Sequence, residues 1–155
     1  MRLRVIAVGT RPPPWVRTAT DEYLRRLAPL SVALTEIPPG VRSAGGTAHK
    51  AVAVEGQRLL SALRANTYVT VLDERGTGFS TRELAVWLGK RMQDGTDLAF
   101  LIGGPDGFAP EVLARADFTL SLSRLTLPHA LVRVLLAEQL YRAHSILDNH
   151  PYHRD

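Results

Sequence analysis

The chain has no cysteine among its 155 residues. That excludes disulfides, thiolate nucleophiles, iron–sulfur clusters and cysteine-type zinc sites. Long apolar runs are missing too. After Met1-Arg2-Leu3-Arg4 the uncharged apolar run is only Val5–Val8, shorter than the core of about 7–15 residues in a secretory signal. Nothing approaches the roughly 20 apolar residues of a membrane span. The expectation is a soluble, cytoplasmic protein with no membrane partner. Lysine is scarce: seventeen of the nineteen basic residues are arginine, whose planar fork matches phosphate oxygens.

What is present has globular proportions, 45% hydrophobic and 22% charged, so bulk disorder is excluded. The length suits one compact domain over residues 1–155, with little chain left for a second. The formal charge is +4, and it is unevenly placed: residues 1–30 carry six arginines against two acids. Residues 121–155 hold four arginines, three acids and four of the five histidines. An anionic partner fits this balance, and so does a solvated surface.

Apolar, β-branched runs alternate with segments of helical period. Strands are expected at Leu3–Val8, Val32–Ile37, Tyr68–Leu72, Leu98–Ile102 and Phe118–Leu120. Helices are expected near Trp15–Leu27, Ala48–Leu63, Ser80–Gln93, Pro110–Ala116 and His129–Leu147. Ser80 with Glu83 has the capping-box spacing, and Pro128 suits the first position of the last helix. Val41–Thr47 reads as a loop and Asp73–Gly78 as a turn. Continuous apolar strands alternating with helices predict an α/β fold, a parallel sheet covered on both faces. The last helix shows a broad apolar face over Leu131, Val132, Leu135, Leu136, Leu140, Ile146 and Leu147, with Val134 and Tyr141 on a narrower one. Either the second face meets another subunit or the helix is sunk in its own fold.

Three glycines in Gly103-Gly104-Pro105-Asp106-Gly107 follow a strand at the edge where ligands bind in open α/β sheets. The loop lacks the Gly-Lys-Ser/Thr ending of a phosphate loop, and Gly9-Thr10-Arg11-Pro12 lacks the dinucleotide fingerprint. Asp106 disfavours a polyphosphate and favours a neutral or cationic ligand. A tight turn with no ligand remains the plain alternative. His144, Asp148, His150 and His153 match no metal-ligand spacing, so no metal is expected. The tail Asn149-His150-Pro151-Tyr152-His153-Arg154-Asp155 concentrates groups that stack on bases or contact phosphate.

The Leu101–Gly107 loop, the segment Leu120-Ser121-Leu122-Ser123-Arg124-Leu125-Thr126-Leu127-Pro128-His129, and Tyr141–Arg154 together resemble the ribosomal RNA large subunit methyltransferase H family, within the SPOUT (α/β-knot) superfamily. The similarity runs along the whole chain and includes the Val5–Thr10 start. It implies a single-domain α/β knot with a C-terminal trefoil knot, which the order of strands and helices does not itself reveal. It implies a homodimer that binds S-adenosyl-L-methionine. The implied reaction is methylation of N3 of a pseudouridine in a 23S rRNA hairpin loop facing the subunit interface of the assembled ribosome. Carried over by position, the cofactor residues are Leu72, Gly103, Gly104, Leu122, Ser123, Arg124, Leu125, Thr126, Leu127 and Pro128. Arg124 stands where no fixed residue is expected.

The residues agree with such chemistry. Methylation of a ring nitrogen is a direct displacement that needs alignment and no covalent enzyme intermediate. The imide proton must be lost, so a base or an anion-stabilising cation is needed. His153 and Arg154 are the catalytic candidates, with Tyr152 as a stacking partner for the loop base. A β-branched residue at Gly104 is expected to obstruct the adenosyl group. Two rivals remain at this level: a doubly wound nucleotide-binding metabolic enzyme, and a ribosome-binding factor without chemistry.

Overall fold

The computed structural model describes residues 1–43 and 47–155; the middle of the loop expected over Val41–Thr47 lies outside them. Five strands, β1 (Leu3–Val8), β2 (Ala33–Ile37), β3 (Thr67–Gly78), β4 (Asp97–Ile102) and β5 (Phe118–Ser121), form one sheet in the order β2-β1-β4-β3-β5. Every neighbouring pair is parallel. The helices are α1 (Pro14–Arg26), α2 (His49–Ser61), α3 (Thr81–Asp94), α4 (Pro110–Arg115) and α5 (His129–Leu147).

The two-residue period of a strand sorts its side chains into two cores. Leu3, Val5 and Ala7 of β1 join Leu98, Phe100 and Ile102 of β4 against Leu84 and Leu88 of α3 and Leu136 and Leu140 of α5. The alternate residues Ile6, Val8, Ala99 and Leu101 join Leu59 of α2 and Val112 of α4. The central strands are buried on both sides, which is why they read as unbroken apolar runs.

Helix boundaries follow local chemistry. Pro14 and Pro110 open α1 and α4 at positions where a missing N–H costs nothing. Ser80 and Glu83 close the expected capping box on α3. Pro128 stands one place earlier than expected, as the N-cap residue with φ −58° and ψ 135°. Its fixed φ suits either position, but its extended ψ makes it the end of the preceding loop.

The turn expected at Asp73–Gly78 is part of β3. The strand pairs with β5 as far as Leu72↔Leu120, shifts register, and pairs again at Thr77↔Leu120 and Gly78↔Ser121. A Cβ on Gly76 would lie 2.7 Å from the Thr119 backbone. That glycine serves close strand approach, not a turn.

The last helix also differs from expectation. Its buried stripe is Arg133, Leu136, Ala137, Leu140, Ala143 and His144, two of them titratable. Tyr141, on the narrower face, is half-buried against its own chain, with ring centroids 6.3 Å from Tyr23 and 4.5 Å from Tyr152. Arg133 is 4% exposed. Its guanidinium pairs with Glu36 of β2 at 2.6 Å and donates to the Gly9 carbonyl.

Leu140 is fully buried between α5 and the sheet. Leu140→Ala should cost about 3 kcal/mol through lost transfer energy and the cavity left behind. A urea denaturation midpoint shifted by much less would mean that α5 contributes little to the core.

Candidate active site

The parallel strands deliver their exits to one edge, where three loops and the start of α5 enclose a cleft of about 490 Å³. That volume lies in the range of about 300–1,000 Å³ typical of small-ligand sites. Leu72–Arg75 at the register shift within β3, Ile102–Phe108 from the end of β4 and Leu120–Ser123 with Leu125–Leu127 from the end of β5 form its walls, and His129 and Val132 come from α5. Of the expected cofactor residues, Leu72, Gly103, Gly104, Leu122, Ser123, Leu125, Thr126 and Leu127 line the cleft. Arg124 and Pro128 are exposed and stand outside that lining.

The lining pairs apolar surface with acid. Leu72, Ile102, Leu120, Leu122 and Val132 offer a face for a flat ring, while Asp73, Glu74 and Asp106 supply carboxylates. Arg75 donates to Asp73 through Nε at 3.1 Å, Nη2 at 3.0 Å and its backbone N–H at 2.9 Å. These bonds hold the Asp73 carboxyl below the usual carboxylate range. Carboxylates around exposed backbone suit a cationic adenosyl sulfonium and disfavour a polyphosphate.

The two glycines act differently from expectation. A Cβ on Gly104 would meet Glu55 Oε1 at 3.1 Å and Val8 Cγ1 at 3.3 Å. A Cβ on Gly103 would meet the Gly107 carbonyl at 3.2 Å and the Phe108 ring at 3.3 Å. A side chain at Gly104 would therefore push first against α2 and β1, disturbing the loop from behind rather than obstructing a ligand from within.

Behind this loop stands a buried ion pair that sequence reading missed. Glu55 of α2 is 2% exposed and accepts from the Gly40 N–H at 2.9 Å and from Arg42 Nη1 at 2.8 Å. Arg42 Nε also donates to Asp106 at 2.8 Å. One guanidinium thus joins the exit of β2, α2 and the glycine loop, and its pKa is raised by these hydrogen bonds to carboxylates. The signal lay in the helix pattern: Ala51, Glu55 and Leu59 recur every four residues on the buried face.

The tail candidates are not in the cleft of their own chain. Tyr152 packs edge-on against Tyr141, its hydroxyl donates to Glu138 at 3.2 Å, and Arg142 lies 4.6 Å above its ring. Burial, reinforced by Tyr23 and Glu138, pushes the phenol up to about 12. His153 accepts from Arg142 through Nδ1 at 3.4 Å and donates through Nε2 to Asp155 at 2.8 Å. Asp155 also pairs with Arg82 of α3, and Arg154 is exposed. The tail is docked along α5 and α3, where a frayed end was the plain expectation.

Two outcomes follow from these contacts. Arg42→Ala leaves Glu55 buried and uncompensated, so it should cost about 3 kcal/mol; Arg42→Lys should recover part of that in thermal melts. The tail should respond to acid. Arg82, with His153, holds Asp155 down to about 2, below its unfolded value of roughly 3.9. The contact should be at full strength above about pH 4 and be lost as pH falls toward 2. The Asp155 carboxyl carbon shift measures it, and titration near 4 would show an undocked tail.

Residues 1–153 match a family model described as "Predicted SPOUT methyltransferase". The chain is 52% identical over 155 residues to the ribosomal RNA large subunit methyltransferase H of Paraburkholderia phymatum, covering 99% of each. It is 51% identical to the protein of the same name from Burkholderia thailandensis, again covering 99% of each. Among solved structures, a "probable methylase family protein" from Haemophilus influenzae Rd KW20 superposes with a TM-score of 0.56 at 14% identity. That alignment covers 99% of this chain and 70% of the other, and it supports the fold alone. With likeness extending over the full length of its relatives and a ligand-sized cleft at the carboxyl edge of the sheet, the chain belongs to the SPOUT methyltransferase family.

Proposed function

We propose that this methyltransferase uses S-adenosyl-L-methionine to methylate N3 of a pseudouridine in a 23S rRNA hairpin loop at the subunit interface of the assembled ribosome. Residues 1–155 would act as one domain, in the cytoplasm, where ribosomes assemble. The observation that carries the reading is the cleft itself: apolar walls, glycine backbone and three carboxylates at the edge of a parallel sheet. The resemblance to relatives named as large subunit rRNA methyltransferases supplies the substrate.

Bound there, S-adenosyl-L-methionine would supply an electrophilic methyl carried on a sulfonium. Leu72, Gly103, Gly104 and the 122–127 loop would hold and orient it, with Asp73 and Asp106 offsetting its charge. Arg124 and Pro128 would shape that loop from outside. The chain would carry the C-terminal trefoil knot that the family implies.

The homodimer is supported by the half-exposed Leu131, Val134 and Leu135 on α5. Tyr141 is half-exposed as well, with Tyr23 and Tyr152 packed on its ring. The tail lies off its own cleft, so in a dimer Tyr152, His153 and Arg154 would serve RNA at the other subunit's cleft. There Arg154 would contact phosphate, while His153 would accept the imide proton or steady the resulting anion.

Ribosomes from cells lacking the protein should carry one methyl fewer by mass spectrometry, and incubation with protein and cofactor should restore it. N3-methylation blocks base pairing, so reverse transcription should stop at one nucleotide only in treated ribosomes. Arg154→Ala should lower methyl transfer more than tenfold while S-adenosylhomocysteine affinity, measured by calorimetry, stays within about twofold. Equal losses in both would make the tail a lid over the cofactor. No heat with millimolar cofactor would overturn the proposal.

A further inference from the structure

Beside the cleft lies a second pocket, of about 420 Å³, at the exits of β1 and β2. Its walls are the Gly9–Pro13 loop, Pro39, and His129, Ala130 and Arg133 of α5. His129 lines both cavities. His129 is itself exposed, so the two cavities open beside one another at its ring.

The two cavities differ in charge. The cleft carries Asp73, Glu74 and Asp106 against Arg75, with Asp73 paired to Arg75 and Asp106 to Arg42, whereas the pocket carries Arg11 and the buried Arg133. Glu36 partly offsets Arg133 and is shared with Arg17, but Arg11 forms no salt bridge among the described residues. Acid suits a sulfonium donor, and base suits a ring that becomes an anion when its imide proton leaves. The pocket is also firmly built. Gly9 has φ +115°, and a Cβ there would lie 3.2 Å from Arg133 Nη2, so backbone packs directly on the guanidinium.

The walls favour a base over a bare phosphate. Pro12, Pro13 and Pro39 have no N–H to offer an anion, but they present flat apolar faces to a ring. Just past Pro13, in the first turn of α1, Trp15 is 57% exposed, between Arg11 and Arg17. An indole left in water, flanked in sequence by arginines, has the composition of a single-stranded RNA platform.

We infer that the Gly9–Pro13/His129/Arg133 pocket receives the uracil-type acceptor base of the RNA, and that Trp15 is the shelf on which an adjoining base stacks. This rests on the function proposed above and adds the acceptor side of the site. Arg11 holds the strand at the rim, His129 borders the base on the side of the donor cleft, and Arg133 keeps the Gly9 backbone in place from behind.

The test uses full-length protein, S-adenosylhomocysteine and ribosomes from cells lacking the protein. Ultraviolet irradiation should attach a uridine-mass nucleotide to the tryptic peptide Val5–Arg17, on Trp15, or to Leu125–Arg133. Arg11→Gln and Trp15→Ala should each weaken ribosome binding at least tenfold, with melting temperature and S-adenosylhomocysteine affinity unchanged. Trp15→Phe should recover most of the binding, which a merely structural role for the indole would not predict at an exposed site. Adducts confined to Ala143–Arg154 would place the acceptor base against the tail alone and would overturn the inference, as would full ribosome affinity in both variants. If S-adenosylhomocysteine itself fails to bind the unmodified protein, the proposed function falls as well. Cofactor binding with ribosome binding insensitive to Arg11 and Trp15 removes only the acceptor pocket.

Discussion

The arrangement of this molecule depends on one buried guanidinium. Arg133 sits a turn inside α5 and reaches across to Glu36 on β2 and to the carbonyl of Gly9 at the end of β1. A charge that is 4% exposed is tolerated only when ion pairing and carbonyl acceptors replace its water. Those partners lie on two different strands, so α5 has one angle at which the charge is satisfied. That angle brings His129 and Val132 to the carboxyl edge of the sheet. It also sets the end of the 122–127 loop against the exits of β3 and β4. The clamp thereby couples the last helix to the shape of the cleft.

A second guanidinium performs the same service on the other layer. Arg42 joins Glu55 to Asp106 and so fixes the glycine loop from behind. With both sides of the loop held, Gly103 and Gly104 expose backbone without room for side chains of their own. This is preorganisation in the physical sense: the polar groups are oriented before a ligand arrives, so less ordering remains when it binds. The arginine-rich composition, which on its face suggests only phosphate contact, is in part internal scaffolding. Arg42 and Arg133 hold the fold, Arg82 and Arg142 hold the tail, and Arg11, Arg124 and Arg154 are left to solvent.

Much of the fold was legible from residue pattern. The double-faced strands Leu3–Val8 and Leu98–Ile102 could only belong to a parallel sheet covered on both sides, and Ser80 with Glu83 marked a helix start to the residue. The Asp73–Gly78 misreading has a clear cause. Glycine signals both a turn and a close strand approach, and only the position of Thr119 tells which applies. The pattern left Tyr141 open between two settings for a similar reason, because helical angle says which residues share a face and nothing about what the chain's own end lays over it.

What the sequence by itself determined are properties carried by near neighbours or by the whole composition. They include the absence of thiol chemistry, the alternation of strand and helix, the caps, the glycine loop after β4 and the family resemblance of the C-terminal third. What only the tertiary structure decided are pairings between residues far apart in the chain. Arg133 with Gly9, Arg42 with Asp106, Arg82 with Asp155, and the shared wall at His129 all belong here. No local propensity encodes such pairs, since each arginine alone reads as an ordinary surface charge. Only when the sheet order places β1 beside β4, and α5 between α1 and α3, do these groups acquire defined partners, and Arg133 loses its water in doing so.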